Sequence, residues 1–375
     1  MLTWMIISIL LISGLLILVY DQWGLKGIAY SRTFSKQRIF EHESLDMVEV
    51  ISNAKLLPLP WLRLESSMPV ALRFGEQDNL GVSEGNIYQN HVSLFHLRSY
   101  RQITRRHRLT CVRRGHYSLE TATMTGGDPL GLSSKAKQFT LNLKLLVYPQ
   151  ILPIPELPLP NHSWLGNLAV RRWIVEDPFL IQGTRAFRSG DTLRSVNWKA
   201  TARTGSLQVH QRGYTADHRL MICLNVESAE SMWRTILEPE RIELGIRYAV
   251  SVAAYALENG IETGMLCNGW VQGRERESVR IGPSGHAGQQ EWLLETMAGL
   301  ILERTVSMVK LLEEEVELGT TDMDYLIISC HRGEKLQEVV RKLEQLGNGV
   351  EWMDIPELPS KPGQEAPPAH EGGTA

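Results

Sequence analysis

Arg219-Leu220-Met221-Ile222-Cys223-Leu224-Asn225-Val226 is apolar without interruption from Leu220 to Leu224. A strand that is apolar on both faces belongs inside a sheet covered on both sides. Downstream, Pro239 stands just inside a helix start. Ile242, Ile246, Ala249, Val250, Ala253 and Leu257 keep helical spacing, and Gly260 marks the stop. Ile261 to Asn268 reads as the next strand, followed by helical stretches near Ala287–Arg304 and Ser307–Leu318. Asp324 to Cys330 is another strand, Glu334 to Leu346 a helix and Val350 to Ile355 a last strand. This alternation predicts a Rossmann-like α/β domain with a mainly parallel sheet over 219–355.

The preceding region has another rhythm. Met47-Val48-Glu49-Val50-Ile51 is followed by a Ser52-Asn53 turn. Thr110-Cys111-Val112 leads into Arg113-Arg114-Gly115-His116-Tyr117, and Phe139 to Leu145 alternates. Short strands between Gly, Asn and Pro turns predict a β-rich, sandwich-like domain over 23–148. Seven arginines between Arg98 and Arg114 are either a patch for phosphate or anionic lipid or the solvated face of a strand pair, the commoner outcome. Pro149, Pro153, Pro155, Pro158 and Pro160 stiffen the connector that opens the segment 149–218. The tail, 356–375, has almost no large apolar residue and reads as disordered.

Met1 to Tyr20 carries no charged side chain. At the helical rise it spans about 30 Å, the thickness of a bilayer core. Trp4 at one end and Tyr20 and Trp23 at the other suit interfacial belts. A cleaved signal peptide would need a basic start and a small-residue cleavage site, and both are missing. Residues 1–22 are therefore read as a single transmembrane helix. Lys26, Arg32, Lys36 and Arg38 follow it, so the positive-inside rule predicts an external N-terminus and a cytoplasmic body.

Composition narrows the function. With 39 Lys+Arg against 42 Asp+Glu, the net charge of −3 is not that of a dedicated nucleic-acid binder. The 43% hydrophobic content is that of a globular protein. Cys111, Cys223, Cys267 and Cys330 form no C-x-x-C pair, which excludes a zinc ribbon and a disulfide scaffold.

Three stretches together carry a resemblance. Gly127-Asp128-Pro129-Leu130-Gly131-Leu132 follows Arg113 to Tyr117. Glu176-Asp177-Pro178-Phe179 leads to Gly183, Arg185, Phe187, Gly190 and Asp191, and these to Arg194, Asn197, Trp198, Lys199, Ala202 and Arg203. From about residue 40 to 355 the chain resembles the domain-of-unknown-function 58 family of membrane-anchored bacterial proteins. The resemblance implies a von Willebrand factor A-like C-terminal domain. It also implies a gene neighbourhood with a MoxR-type AAA+ ATPase, often with a transglutaminase-like membrane protein. The expected role is that of a non-enzymatic adaptor in the assembly or maturation of an envelope complex, with no cofactor.

Physically, the segment from Arg185 to Arg203 sets Asp191 among Arg185, Arg188, Arg194, Lys199 and Arg203. It is either a docking site for an acidic partner, with Trp198 as anchor, or a structural hub. In the hub, Asp191 bridges Arg185 and Arg194 while Trp198 packs in the core. Metal-binding von Willebrand A domains use D-x-S-x-S after the first strand, and here Asn225, Glu227 and Ser231 are its degenerate counterparts. No metal site is expected, and a metal-dependent adhesion module is the alternative reading. No phosphate-binding loop, dinucleotide fingerprint or H-E-x-x-H motif occurs. A hydrolase using Cys330 or Ser284 is the remaining alternative, weakened because Cys330 and His331 are strand neighbours that face opposite ways.

Overall fold

A computed structural model of the chain describes residues 1–75, 81–84, 88–158, 176–188, 195–214, 219–229 and 238–358. The chain divides into two compact units, one of Met1–Gln150 with Leu294–Gly299, the other of Ile151–Leu293 with Leu300–Ala375. Helix α1 (Leu2–Trp23) opens the first unit. It is long and apolar enough to cross a membrane, and Tyr20 is its buried residue.

Among the described residues ten strands follow: β1 (Ile28–Phe34), β2 (Arg38–Phe40), β3 (Ser44–Asn53), β4 (Leu59–Pro69), β5 (Leu72–Phe74), β6 (Gly81–Glu84), β7 (Tyr88–Leu97), β8 (Gln102–Cys111), β9 (Gly115–Gly127) and β10 (Ser134–Tyr148). They form a four-stranded sheet, β1-β3-β8-β5, and a six-stranded sheet, β2-β10-β9-β4-β7-β6. Every pairing is antiparallel except β2 with β10. The inward faces of the two sheets share two apolar clusters. One joins Ile28 and Ile51 to Leu62, Leu64 and Met124; the other joins Met47 and Leu109 to Met68, Leu119 and Val147. The seven arginines divide by position. Arg98, Arg101, Arg106, Arg108 and Arg113 are exposed and Arg105 lies over the Phe95 ring, whereas Arg114 is buried and donates to the carbonyls of Met297 and Ala298 at 2.6 and 3.1 Å.

Alternation along β3 sends Leu45, Met47, Glu49 and Ile51 inward, so a fully buried carboxylate sits in the sandwich core. Glu49 accepts from Arg32 Nη2 at 2.6 Å and from the Tyr30 hydroxyl at 2.7 Å, and His107 Nε2 lies 3.1 Å away. Arg32 also donates to Ser66 Oγ, at 2.9 Å, on a strand of the opposite sheet. Burial alone would raise the Glu49 pKa. The His107 hydrogen bond, the Arg32 charge and the Tyr30 hydroxyl outweigh it and hold the carboxyl below its usual range. His91 stacks on Phe74 at 4.8 Å and meets His107 edge-on at 5.5 Å, and neither of its ring nitrogens has a hydrogen-bond partner among the described residues.

Among the described residues, the second unit contains β11 (Glu176–Ala186), α2 (Trp198–Thr204), β12 (Gln208–Tyr214), β13 (Arg219–Leu224), α3 (Pro239–Glu258), β14 (Glu262–Cys267), β15 (Trp270–Val271), β16 (Val279–Ser284), the start of α4 (Gln289–Ala298, which belongs to the first unit from Leu294 on), β17 (Leu300–Ile301), α5 (Met308–Glu317), β18 (Met323–Ser329), α6 (Glu334–Gln345) and β19 (Gly349–Asp354). Its main sheet runs β16-β14-β13-β18-β19, parallel except for the antiparallel edge strand β16. Helices α5 and α6 pack on the face of Met221 and Cys223. The other face receives α3, where Gly245 lets the helix approach Ile355 and Leu224 closely. Pro239 is in the first turn of α3, and Gly260, at φ +73°, follows its end. The stretch read as helical from Ala287 to Arg304 is shorter, ending at Ala298, because Leu300 and Ile301 pair with β15. The tail from residue 359 lies outside the described residues.

The His91 environment predicts a pH dependence. Burial, aided by the Arg32, His107 and Arg105 charges and opposed by Glu49, pushes its pKa down to about 4 from 6.5. Between those values the unfolded chain binds a proton that the folded chain does not, so stability falls as pH drops, by up to about 3 kcal/mol. Glu49 adds its own loss only below its ordinary value. The urea midpoint is expected to be lower at pH 5 than at pH 7, and His91→Phe to flatten the difference. An unchanged slope in the variant would contradict this environment.

Candidate functional site

In an open α/β sheet, ligands bind where neighbouring strands are continued to opposite sides. Here β14 lies on one side of β13 and β18 on the other, so that place is the C-terminal edge of β13 and β18. Three polar side chains stand in a row there, each fully buried: Asn268 after β14, Asn225 after β13, and Ser329 closing β18. Asn225 Oδ1 accepts from Asn268 Nδ2 and from the Glu227 amide, both at 3.0 Å, while Asn225 Nδ2 donates to Ser329 Oγ at 3.1 Å. Asn268 Oδ1 accepts from the Val226 amide at 2.9 Å, and its backbone carbonyl accepts from the Thr305 amide at 2.8 Å. Ser329 Oγ donates to the His331 carbonyl at 2.7 Å. Above the row, Arg304 pairs with Glu227 at 2.7 Å.

The described residues of this edge do not suit a divalent cation. Hard cations need carboxylate and hydroxyl oxygens with free lone pairs. Asn225 offers an amide oxygen that already accepts two hydrogen bonds, and the Glu227 carboxylate is paired with Arg304. Ser231 lies outside the described residues. Among the described residues no three His, Cys, Asp or Glu side chains gather closely enough to hold a metal.

Nor do the described candidates, Cys330 and Ser284, supply an activated nucleophile. Burial pushes the Cys330 thiol up to about 11; the nearby Arg241 charge lowers it and Glu238 raises it. The thiol therefore stays protonated at neutral pH. Ser284 ends the edge strand β16, away from the row.

The motif segment is built differently. Antiparallel β11 and β12 flank α2, and Val196 bridges to Val209, both buried. Asn197 caps α2 by accepting from the Ala200 amide at 3.0 Å. Its own amide donates to the Gln208 carbonyl at 2.7 Å, and its Nδ2 lies 3.4 Å from His210 Nδ1. Thr201 Oγ1 accepts from the Gln208 amide at 3.0 Å, a second tie to β12. Gly205, at φ +67°, ends the helix in the left-handed conformation that favours glycine. These bonds fix a short helix whose Trp198 is 65% exposed, beside exposed Lys199 and Arg203. That corrects one part of the hub reading, the placement of Trp198 in the core. The indole instead points to solvent because the buried contacts are made by Val196 and Val209. Arg185 is half-buried and donates to the Ala186 carbonyl at 3.2 Å. Gly190, Asp191 and Arg194 lie outside the described residues, so the structure brings together Asn197, Trp198, Lys199 and Arg203 of the expected set.

Residues 183–285 match the family model described as protein of unknown function DUF58. The match supports the DUF58 family and begins at the glycine that opens the motif. It is narrower than the span from 40 to 355 over which the sequence resembles that family. No curated protein matches the chain. Similar solved structures include the CARDB domain of the PF1109 protein from Pyrococcus furiosus, 10% identical, covering 32% of this chain and 91% of that one at a TM-score of 0.21. Another is BslA, a bacterial hydrophobin, 14% identical over 34% of this chain and 97% of that one, TM-score 0.21. The sporulation control protein Spo0M from Bacillus subtilis is 12% identical over 44% and 59%, TM-score 0.19.

The sequence reading missed Asn268, Ser329 and Arg304. The available signal was the polar residue closing each apolar parallel strand, next to Cys267 in one case and Ile328 in the other. Asn225→Asp tests this edge. It removes the donor to Ser329 and buries a charge, so it is expected to cost about 1–3 kcal/mol in urea unfolding, with no recovery on adding Mg²⁺. A variant restabilised by Mg²⁺ would reveal a usable metal site.

Proposed function

We propose that the chain is a non-enzymatic, membrane-anchored interaction protein whose DUF58-matched segment docks an acidic partner surface. One observation carries this reading: Trp198 stands exposed on a helix held by Asn197 and Thr201, with Lys199 and Arg203 beside it. Tryptophan and arginine are the side chains most often found to dominate interface energies, and a fixed helix loses little entropy on binding. The polar row at the sheet edge satisfies its own hydrogen bonds, which favours a scaffold over a catalytic centre. In this reading the second unit is von Willebrand A-like and α1 spans the membrane with the body on the cytoplasmic side. The partner is a MoxR-type AAA+ ATPase serving an envelope complex, with a transglutaminase-like membrane protein as a further associate.

The test is purification of the full chain from its native membrane in mild detergent, with co-purified proteins identified by mass spectrometry. Wild type is expected to retain a MoxR-type ATPase, and a Trp198→Ala, Lys199→Ala variant with unchanged melting to lose it. Truncating a central aromatic anchor costs about 2 kcal/mol, roughly thirtyfold in affinity. Equal recovery with both proteins would refute the docking role, and no ATPase with wild type would refute the partner.

A further inference from the structure

Three loops of the first unit converge on the C-terminal end of α1. In the loop after β3, Lys55 Nζ donates to the carbonyls of Trp23 and Gly24, and the Ala54 amide donates to the Gly27 carbonyl at 3.2 Å. The loop between β7 and β8 is tied to it: the Tyr100 amide donates to the Lys55 carbonyl at 3.2 Å, and Asn53 Nδ2 donates to the carbonyls of Leu57 and Arg98 at 3.0 and 3.1 Å. The loop between β9 and β10 is joined to the helix by Lys135, at the start of β10, whose Nζ donates to the Asp21 carbonyl at 3.0 Å and to its carboxylate at 3.3 Å. Leu25 packs beside Gly126 at the base of that loop.

Each loop is locked by its own polar bonds yet turns large apolar side chains outward. Asp128 accepts from the amides of Leu130 at 2.9 Å and Ser133 at 2.5 Å, its carbonyl accepts from Trp61 Nε1 at 3.0 Å, and Gly131 takes φ +71°. This ordered turn leaves Leu130 57% and Leu132 69% exposed. Leu56 at 74% and Tyr100 at 67% are equally bare, and Trp23 is 51% exposed. Around them Lys26, Lys135 and Lys137 are exposed, and Lys55 is half-buried. Burial, with the Lys137 charge, pushes the Lys55 pKa down to about 8, which an anion nearby would relieve.

We propose that this end of the sandwich is a second membrane contact, in which Leu56, Tyr100, Leu130 and Leu132 enter the headgroup layer while the lysines meet lipid phosphates. The inference rests on reading Leu2–Trp23 as a membrane span. Its geometry follows from length: the uncharged stretch to Tyr20 covers about 30 Å, so loops fastened at Asp21, Trp23 and Gly24 lie at headgroup depth. Apolar and aromatic tips ringed by lysine suit that layer, where rings sit among headgroups and cations are drawn to phosphate. The occupant is the lipid surface that the adjoining helix enters.

The experiment uses the full chain, in a Cys330→Ala background, in nanodiscs of phosphatidylethanolamine and phosphatidylglycerol. Single spin labels are placed by Leu10→Cys, Leu132→Cys and Leu318→Cys, and power saturation compares access to oxygen with access to a water-soluble nickel relaxant. The expected order of oxygen preference is residue 10 highest, 132 intermediate and 318 lowest. A label at 132 as nickel-accessible as that at 318, with 10 still buried in lipid, overturns the contact and leaves the span standing. A label at 132 shielded from both relaxants also overturns it, since a second copy or another protein would then cover the loops. A nickel-accessible label at 10 refutes the span and the contact with it.

Discussion

Asn225 Oδ1 has two lone pairs, and the structure of the second unit turns on both being used. One accepts from Asn268 and the other from the Glu227 amide, while the amide group reaches Ser329. A parallel sheet brings the ends of β14, β13 and β18 side by side, and unpaired polar groups buried there would be costly. The three side chains satisfy one another and tie the three strand ends together. With Glu227 answered by Arg304, the edge carries little free charge for a ligand to exploit. A partner surface is then better sought on α2, where side chains are offered to solvent.

The first unit solves a comparable problem with charge. Glu49 is inside because the two-residue period of β3 leaves no other place for it, and Arg32, Tyr30 and His107 make its burial tolerable. A buried pair of this kind is weak evidence for stability but costly to break on one side. The link from Arg32 to Ser66 crosses from one sheet to the other and so favours a single register of the sandwich.

Much of this was legible in the sequence where one physical signal dominated. The apolar run of β13, the Pro239 and Gly260 boundaries of α3 and the apolar N-terminal helix all follow from local rules. Edge strand β16 was not legible, because Val279 and Ile281 alternate over too short a stretch beside a highly charged turn. The sense of β3 was hidden as well: Val48 and Val50 look like core residues, yet the hydrogen-bonded partners put Glu49 inside and these outside. At the candidate site, Asn197 reads as a helix cap from its type and place, whereas the exposure of Trp198 depends on which neighbours fill the space beneath α2. Tertiary packing decides that, and no spacing rule reports it.

Hydrogen–deuterium exchange on the full chain, alone and with the proposed partner, a MoxR-type ATPase, bound, separates the two faces most directly. The account predicts new protection across residues 197–205 and 208–210, with the amides of 226–229, 268–270 and 329–331 unchanged. Protection confined to those strand ends, with α2 exchanging as freely as before, would place the partner on the edge of the sheet and contradict it.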